Sequence, residues 1–221
     1  MRITGGEFGG RNLKVPKSDT IRPTQDRVRE AVFNIIQFEV PGCDFLDLFA
    51  GSGAVGLEAL SRGAKSATFV EANRRHIAVL NENLASLGSG RVGVGPDRVG
   101  VVSDRAGVVS DRVGVGAAQL KRPERTLEDS TVVLSDCYRW LATYSGPGFS
   151  IGFADPPYAL GEEKGYASVL ASLLARNVIR PGGLFIAEMT AVQKAEETPG
   201  WELIRDRTYG KTRLCIWRRK A

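Results

Sequence analysis

The tetrapeptide Asp155-Pro156-Pro157-Tyr158 directly follows the apolar run 149–154, so a strand ends on residues able to do chemistry. Two prolines fix φ and remove two backbone donors, which stops the ladder and holds the flanking Asp and Tyr in a stiff corner. The Asp155 carboxylate and the carbonyls beside the prolines can accept hydrogen bonds from an amino group, and the Tyr158 ring offers a stacking face for a base. Such a corner can clamp a planar amine. Alone, it also fits a plain loop after a buried strand, so the rest of the chain has to decide.

A second group surrounds a glycine-rich turn. In the stretch Asp47-Leu48-Phe49-Ala50-Gly51-Ser52-Gly53-Ala54-Val55-Gly56 the glycines are spaced G-x-G-x-x-G between a strand and a helix, and Glu71 ends the next strand. This is the dinucleotide fingerprint, which keeps a nicotinamide-dependent oxidoreductase as a rival reading. Charge points the other way: a dinucleotide brings a pyrophosphate, and Asp47 beneath the turn adds negative charge where that anion would sit. S-adenosylmethionine brings an ammonium and a sulfonium. Asp47 favours that cation, Glu71 can take the ribose hydroxyls, and Asp136 can accept from the adenine amino group. With Asp155, four acids stand at the carboxyl ends of successive strands, where open α/β sheets bind ligands. One such acid is readily explained as a helix cap; four are not.

The elements that must position these residues follow an alternating rhythm. Strand-length apolar runs at 45–49, 67–70, 132–134, 149–154 and 184–187 alternate with helical patterns at 54–62, 73–87, 137–144 and 166–176. That rhythm predicts a mostly parallel, doubly wound α/β sheet. Two final runs, 201–207 and 212–217, flank Tyr209-Gly210-Lys211 and read as an antiparallel pair at the sheet edge. At the other end, residues 2–15 read as a small twisted hairpin carrying Arg2, Arg11 and Lys14, too small to form a core of its own. A helix then follows, with Thr24 as its cap and Arg22, Arg27 and Arg29 available to solvent or a ligand.

Size and composition narrow the function classes. A chain of 221 residues supports one well-cored domain, read here as a basic hairpin extension over 1–20 and a main domain over 21–221. Thirty basic against 25 acidic residues give a net charge of +5, with the basic residues gathered at both termini, which suits a nucleic-acid partner. Three scattered cysteines without a Cys-x-x-Cys pair argue against a disulfide framework and a structural zinc, so no metal is expected. A single histidine, His76, excludes mechanisms built on a His dyad and reads as a solvated helix residue. With no signal-like or membrane-length apolar run, the expectation is a cytoplasmic protein without membrane attachment. Four tandem heptads starting at Gly90, Asp97, Asp104 and Asp111 lack an a/d seam, so residues 88–130 read as a flexible surface insertion.

Taken together, Arg2-Ile-Thr-Gly-Gly6, Gly10-Arg-Asn-Leu13, the run from Arg22 to Asn34, Asp47 to Arg62 and Asp155 to Tyr158 resemble the bacterial RsmD family. The resemblance covers nearly all of the chain outside the heptads, which depart from the family, where this connection is short. It implies a Rossmann-like class I methyltransferase that moves a methyl group from S-adenosylmethionine to the N2 of a guanine in 16S ribosomal RNA. The substrate would be an assembling small ribosomal subunit and the enzyme a monomer. Carried over by position, Asp47, Gly51 and Gly53 would hold the methionine end, Glu71 the ribose, and Asp136 the adenine. Asp155, Pro156, Pro157 and Tyr158 would hold the guanine. Arg2, Arg11, Lys14, Arg22 and Arg27 are the first candidates for RNA phosphates, with Lys211, Arg213, Arg218, Arg219 and Lys220 at the other terminus. A DNA adenine-N6 or other amine methyltransferase, the oxidoreductase, and a ribosome-binding protein with a relic pocket stand as alternatives.

Overall fold

The computed structural model describes residues 1–16, 23–88, 92–94, 99–101, 130–156, 158–195 and 197–221, with backbone alone at 23–25, 92–94, 99–101 and 158–165. Its elements run α1 (Pro23–Ile35), β1 (Asp44–Asp47), α2 (Ala54–Ser61), β2 (Ser66–Glu71), α3 (Arg74–Ser86), β3 (Val92–Val94) and β4 (Val99–Val101). They continue through β5 (Ser130–Leu134), α4 (Cys137–Thr143), β6 (Phe149–Ala154), α5 (Tyr158–Ala175), β7 (Ile179–Thr190), β8 (Trp201–Tyr209) and β9 (Thr212–Arg219). All strands join one sheet in the order β3-β4-β5-β2-β1-β6-β7-β9-β8. The five strands from β5 to β7 are parallel, and β9 and β8 close one edge antiparallel. Because the chain leaves β1 toward β2 and β5 and later returns to lay β6 on the other side, the order reverses between β1 and β6. A crevice at the carboxyl ends follows from that reversal.

Apolar residues alternate between the two faces of the sheet with period two. Phe45, Phe69, Phe153 and Ile186 face α1–α3, while their neighbours Leu46, Val70, Ala154 and Phe185 face α4 and α5. Ile3, Phe8 and Leu13 of the N-terminal segment are buried in the first of these layers, so the segment shares the main core. Its backbone closes through a bridge between Arg2 and Asn12 and a bond from Ile3 N to Arg11 O at 3.0 Å.

An ionic knot ties that segment to the helices. Glu58 on α2 is fully buried, accepts from Thr4 N and Thr4 Oγ1 at 2.7 Å each and from Arg62 Nε at 2.8 Å, and lies 3.4 Å from Arg29 Nε. Arg29 on α1 donates onward to Arg2 O and to Asp26 Oδ1. Arg29 is therefore buried rather than available to a ligand, because its charge is needed opposite Glu58. Thr24 lies inside α1, whose first residue is Pro23, a residue that suits the first helical position because it has no N–H to satisfy there.

Elsewhere the elements run longer than their sequence patterns. Helix α5 starts at Tyr158 despite Gly161 and Gly165, and β7 starts at Ile179 through Pro181-Gly182-Gly183, where the pairing with β6 shifts register between Phe149 and Ile151. Within the heptad tract, β3 and β4 pair with each other and β4 pairs antiparallel with β5; the expected flexibility of the remaining 88–130 stretch lies outside the described residues. Among the described residues no helix is long and apolar enough to cross a membrane.

Removing one partner of a buried ion pair strands the other. Glu58→Gln is expected to cost about 3–5 kcal/mol in urea unfolding. Lys14→Ala, which breaks an exposed pair with Glu82, is expected to cost under about 1 kcal/mol. Equal losses would contradict the knot's role.

Candidate functional site

Four strands carry an acid toward the same face near their carboxyl ends: β1 and β2 end on theirs, β6 is followed by one, and β7 holds one two residues before its end. Asp47, Glu71, Asp155 and Glu188 each stand two residues beyond Phe45, Phe69, Phe153 and Ile186, all of which belong to the layer under α1–α3. The registers set Asp47 opposite Phe69 and Phe153, two residues below Glu71 and Asp155, while Ala154 opposite Ala187 brings the residues that follow, Asp155 and Glu188, level with each other. Glu188 is absent from the acids expected from sequence. The signal for it is the same apolar-x-acid spacing that marks the other three.

Asp47 is 1% exposed, and its Oδ2 accepts from Gly56 N at 3.1 Å, which fixes the start of α2 over the strand end. Burial pushes its carboxyl up to about 7; the charges of Glu71 and Asp155 add to the rise, and the Gly56 and Phe49 amides oppose it. It thus acts first as a buried brace beneath the turn, because the turn's own amides reach it. Glu71 closes the turn from the other side, accepting from Gly51 N at 2.8 Å and from Asn73 N at 2.7 Å. His76 Nδ1 lies 3.6 Å from Glu71 Oε1, so the histidine expected to be solvated borders the site.

The three glycines of the turn differ in what they permit. A Cβ on Gly51, at φ +54°, would meet nothing within 4 Å, so its backbone is open to an approaching ligand. At Gly53, φ +83°, a Cβ would come within 2.1 Å of a Leu80 methyl, and at Gly56 within 2.2 Å of the Phe69 ring. These two serve the turn and the packing of α2 on β2. Gly53, expected to hold ligand, has its Cβ side filled by Leu80.

Asp136 is exposed at the end of β5 and caps α4 by accepting from Arg139 N at 3.0 Å. Asp155 is half-buried directly after β6, and Pro156 behind it is buried. Pro157 lies outside the described residues, as does the side chain of Tyr158, whose backbone opens α5. On β7, burial pushes the Glu188 carboxyl well above its usual range; the Asp155 charge adds to this and Arg29 opposes it. Tyr166 donates its hydroxyl to Glu188 O at 2.6 Å, locking the backbone there.

The basic residues divide into exposed and committed groups. Arg2 and Arg27 have exposed side chains, while Arg22 lies outside the described residues. Arg11 stacks over Phe8 and donates to Ser86 O, and Lys14 pairs with Glu82 at 2.7 Å, so both are drawn toward α3. At the other terminus Arg213 is bound to Asp206, Arg218 to Glu39, and Arg219 to Ile179 O and Asn177. These three, expected on RNA, hold the sheet edge together because carboxylates and carbonyls lie within their reach.

A parallel sheet reversing between β1 and β6, with carboxylates at its switch point under a turn open at Gly51, is an α/β Rossmann-like methyltransferase fold. The yhhF protein of Escherichia coli superposes on it with a TM-score of 0.75 at 30% identity, covering 100% of this chain and 98% of that one. The family model described as Conserved hypothetical protein 95 matches residues 1–95 and 113–218, and the chain belongs to this family, the RsmD family. The internal unmatched stretch, 96–112, falls inside the heptad tract. Ribosomal RNA small subunit methyltransferase D of Haemophilus influenzae is 31% identical over 212 residues, covering 95% of this chain and 89% of that relative. The protein of the same name from Escherichia coli is 52% identical over 87 residues, a match spanning 39% of this chain and 44% of that relative's length.

The raised Asp47 carboxyl has a pH signature. Its folded-state value near 7 exceeds the ordinary 3.8, so the stability it contributes is present below about pH 4 and lost as pH rises through about 7. Asp47→Asn keeps an acceptor for Gly56 N but removes the ionisation. Relative to the parent, its stability in urea is expected to gain on the order of a few kcal/mol between pH 4 and pH 7.5. A difference independent of pH would contradict the buried assignment.

Proposed function

We propose that this protein transfers a methyl group from S-adenosylmethionine to the exocyclic N2 of one guanine in 16S ribosomal RNA, within an assembling small subunit, acting as a cytoplasmic monomer. The observation that carries the reading is the gathering of Asp47, Glu71 and Asp155 on one sheet face beside the open backbone of Gly51. Carboxyls desolvated beside one another gain from a cationic ligand, which favours their charged forms, and disfavour a pyrophosphate. When bound, S-adenosylmethionine supplies a methyl carbon made electrophilic by its sulfonium.

The chain's own residues do the rest by placement. Asp47, through the turn it braces, would hold the methionine end, Glu71 the ribose hydroxyls, and Asp136, exposed at the end of β5, the adenine edge. Asp155 and the Pro156 carbonyl would accept from the N2 amino group, favouring a pyramidal nitrogen whose lone pair leaves conjugation with the ring and becomes free to attack the methyl carbon. After transfer the extra proton on N2 passes to Asp155 and then to solvent. The leaving thioether is neutral, so no general acid is needed, and catalysis rests on positioning and electrostatics. A guanine inside folded RNA must be splayed out to reach this crevice, and the sequence motif assigns Pro157 and Tyr158 to hold it, the tyrosine as a stacking partner. Arg2, Arg22 and Arg27 hold the flanking phosphates, joined by Arg11 and Lys14, whose exposed contacts to Ser86 O and Glu82 exchange for phosphate.

Nucleoside mass spectrometry after incubation with labelled donor and unmodified small-subunit RNA tests this reading. N2-methylguanosine is the expected product. Asp155→Ala is expected to lower transfer about 100-fold or more while donor binding stays within a few fold. N6-methyladenosine as the product, or wild-type transfer by Asp155→Ala, would overturn it.

A further inference from the structure

Glu188 stands beside Asp155 without a role in the mechanism above. Ala154 is opposite Ala187 in the β6–β7 register, so the residues that follow, Asp155 and Glu188, leave adjacent strands at the same height and toward the same face. Adjacent strands lie about 4.8 Å apart, a spacing at which two carboxylates can bracket neighbouring donors on one base edge. The Tyr166 hydroxyl, 2.6 Å from Glu188 O, fixes this stretch of β7 from the opposite side of the sheet. The cation nearest in charge terms, Arg29, is committed to Arg2 O, Asp26 and Glu58.

The chemistry of the base edge then becomes informative. Next to its exocyclic amine guanine carries N1–H, a second donor, whereas adenine carries a bare N1, an acceptor. Ionised carboxylates only accept. A pair of them therefore complements the guanine edge and opposes a lone pair on adenine. We propose that Glu188 is the specificity-determining residue for guanine, its carboxylate accepting from N1–H while Asp155 accepts from the N2 amine. This rests on the methyltransferase reading above. Burial of Glu188 beside Asp155 disfavours its charged form, and a donor from the base favours it, so the ionised state is the one guanine selects.

The test uses RNA fragments carrying guanine or 2-aminopurine at the modified position; 2-aminopurine keeps the N2 amine but has a bare N1. The full chain is expected to prefer guanine in kcat/KM. Glu188→Gln can turn its amide N–H toward a bare N1, so its guanine to 2-aminopurine ratio is expected to fall about tenfold or more, with donor affinity unchanged. Glu188→Asp keeps a carboxylate and is expected to hold the parent ratio at a lower rate, which preserves the test where the glutamine variant fails to fold. An unchanged ratio in an active Glu188→Gln, or a collapsed ratio in Glu188→Asp, overturns this assignment alone. Absence of N2-methylguanosine from the parent reaction overturns both it and the reading beneath it.

Discussion

The crowding of negative charge at the carboxyl ends of β1, β2, β6 and β7 is the constraint on which the rest of the structure depends. Asp47 is buried, and its carboxyl is pushed up to about 7 by desolvation, with Glu71 and Asp155 adding to it. Like charges held near one another in a low-dielectric place are costly unless something positive or donating is brought to them. Backbone amides supply part of that need, from Gly56 to Asp47 and from Gly51 and Asn73 to Glu71. These bonds fold the glycine turn around the acids. The turn's geometry and the site's charge are thus one arrangement, seen once as structure and once as chemistry.

A second charged group supports the first from behind. The Glu58 knot joins the N-terminal segment, α1 and α2 into a cap over the sheet face on which the acids project. Together with Ser61, which bonds Gly5 O and Phe8 N, and Asn83, which bonds the Lys14 backbone, it fixes Ile3, Phe8 and Leu13 in the core, and it holds Arg29 on the side of the sheet where its charge acts on Glu188. Positive charge among the described residues therefore serves three places, the sheet edge held by Arg213, Arg218 and Arg219 being one. Buried Arg29 and half-buried Arg62 organise the cap, and Arg2 and Arg27 remain at the surface.

Much of this was legible in the sequence because backbone-level signals carry it. The alternation of apolar runs and helical patterns marks the parallel sheet, and β6 spans 149–154 as expected. Glu71 at the end of β2 and Asp155 after β6 follow from the same reading. Pairings between distant residues were not legible: Arg29 looks like a surface cation until Glu58 comes to lie against it, and Arg213, Arg218 and Arg219 look free until Asp206, Glu39 and Asn177 take them up. Gly53 likewise reads as a ligand-facing glycine until Leu80 fills its open side. The apolar run 184–187 marks only the middle of β7, which starts at Ile179 and passes through Pro181-Gly182-Gly183 by shifting register. Each of these is a tertiary effect, decided by which segments meet.

The central claim is that this anionic switch point is built for a cationic methyl donor. Calorimetry of the full chain with S-adenosylmethionine and, separately, with NAD at the same ionic strength tests it most directly. Saturable one-to-one binding of S-adenosylmethionine with no heat from NAD is the result the account predicts; saturable binding of NAD with no response to S-adenosylmethionine would contradict it.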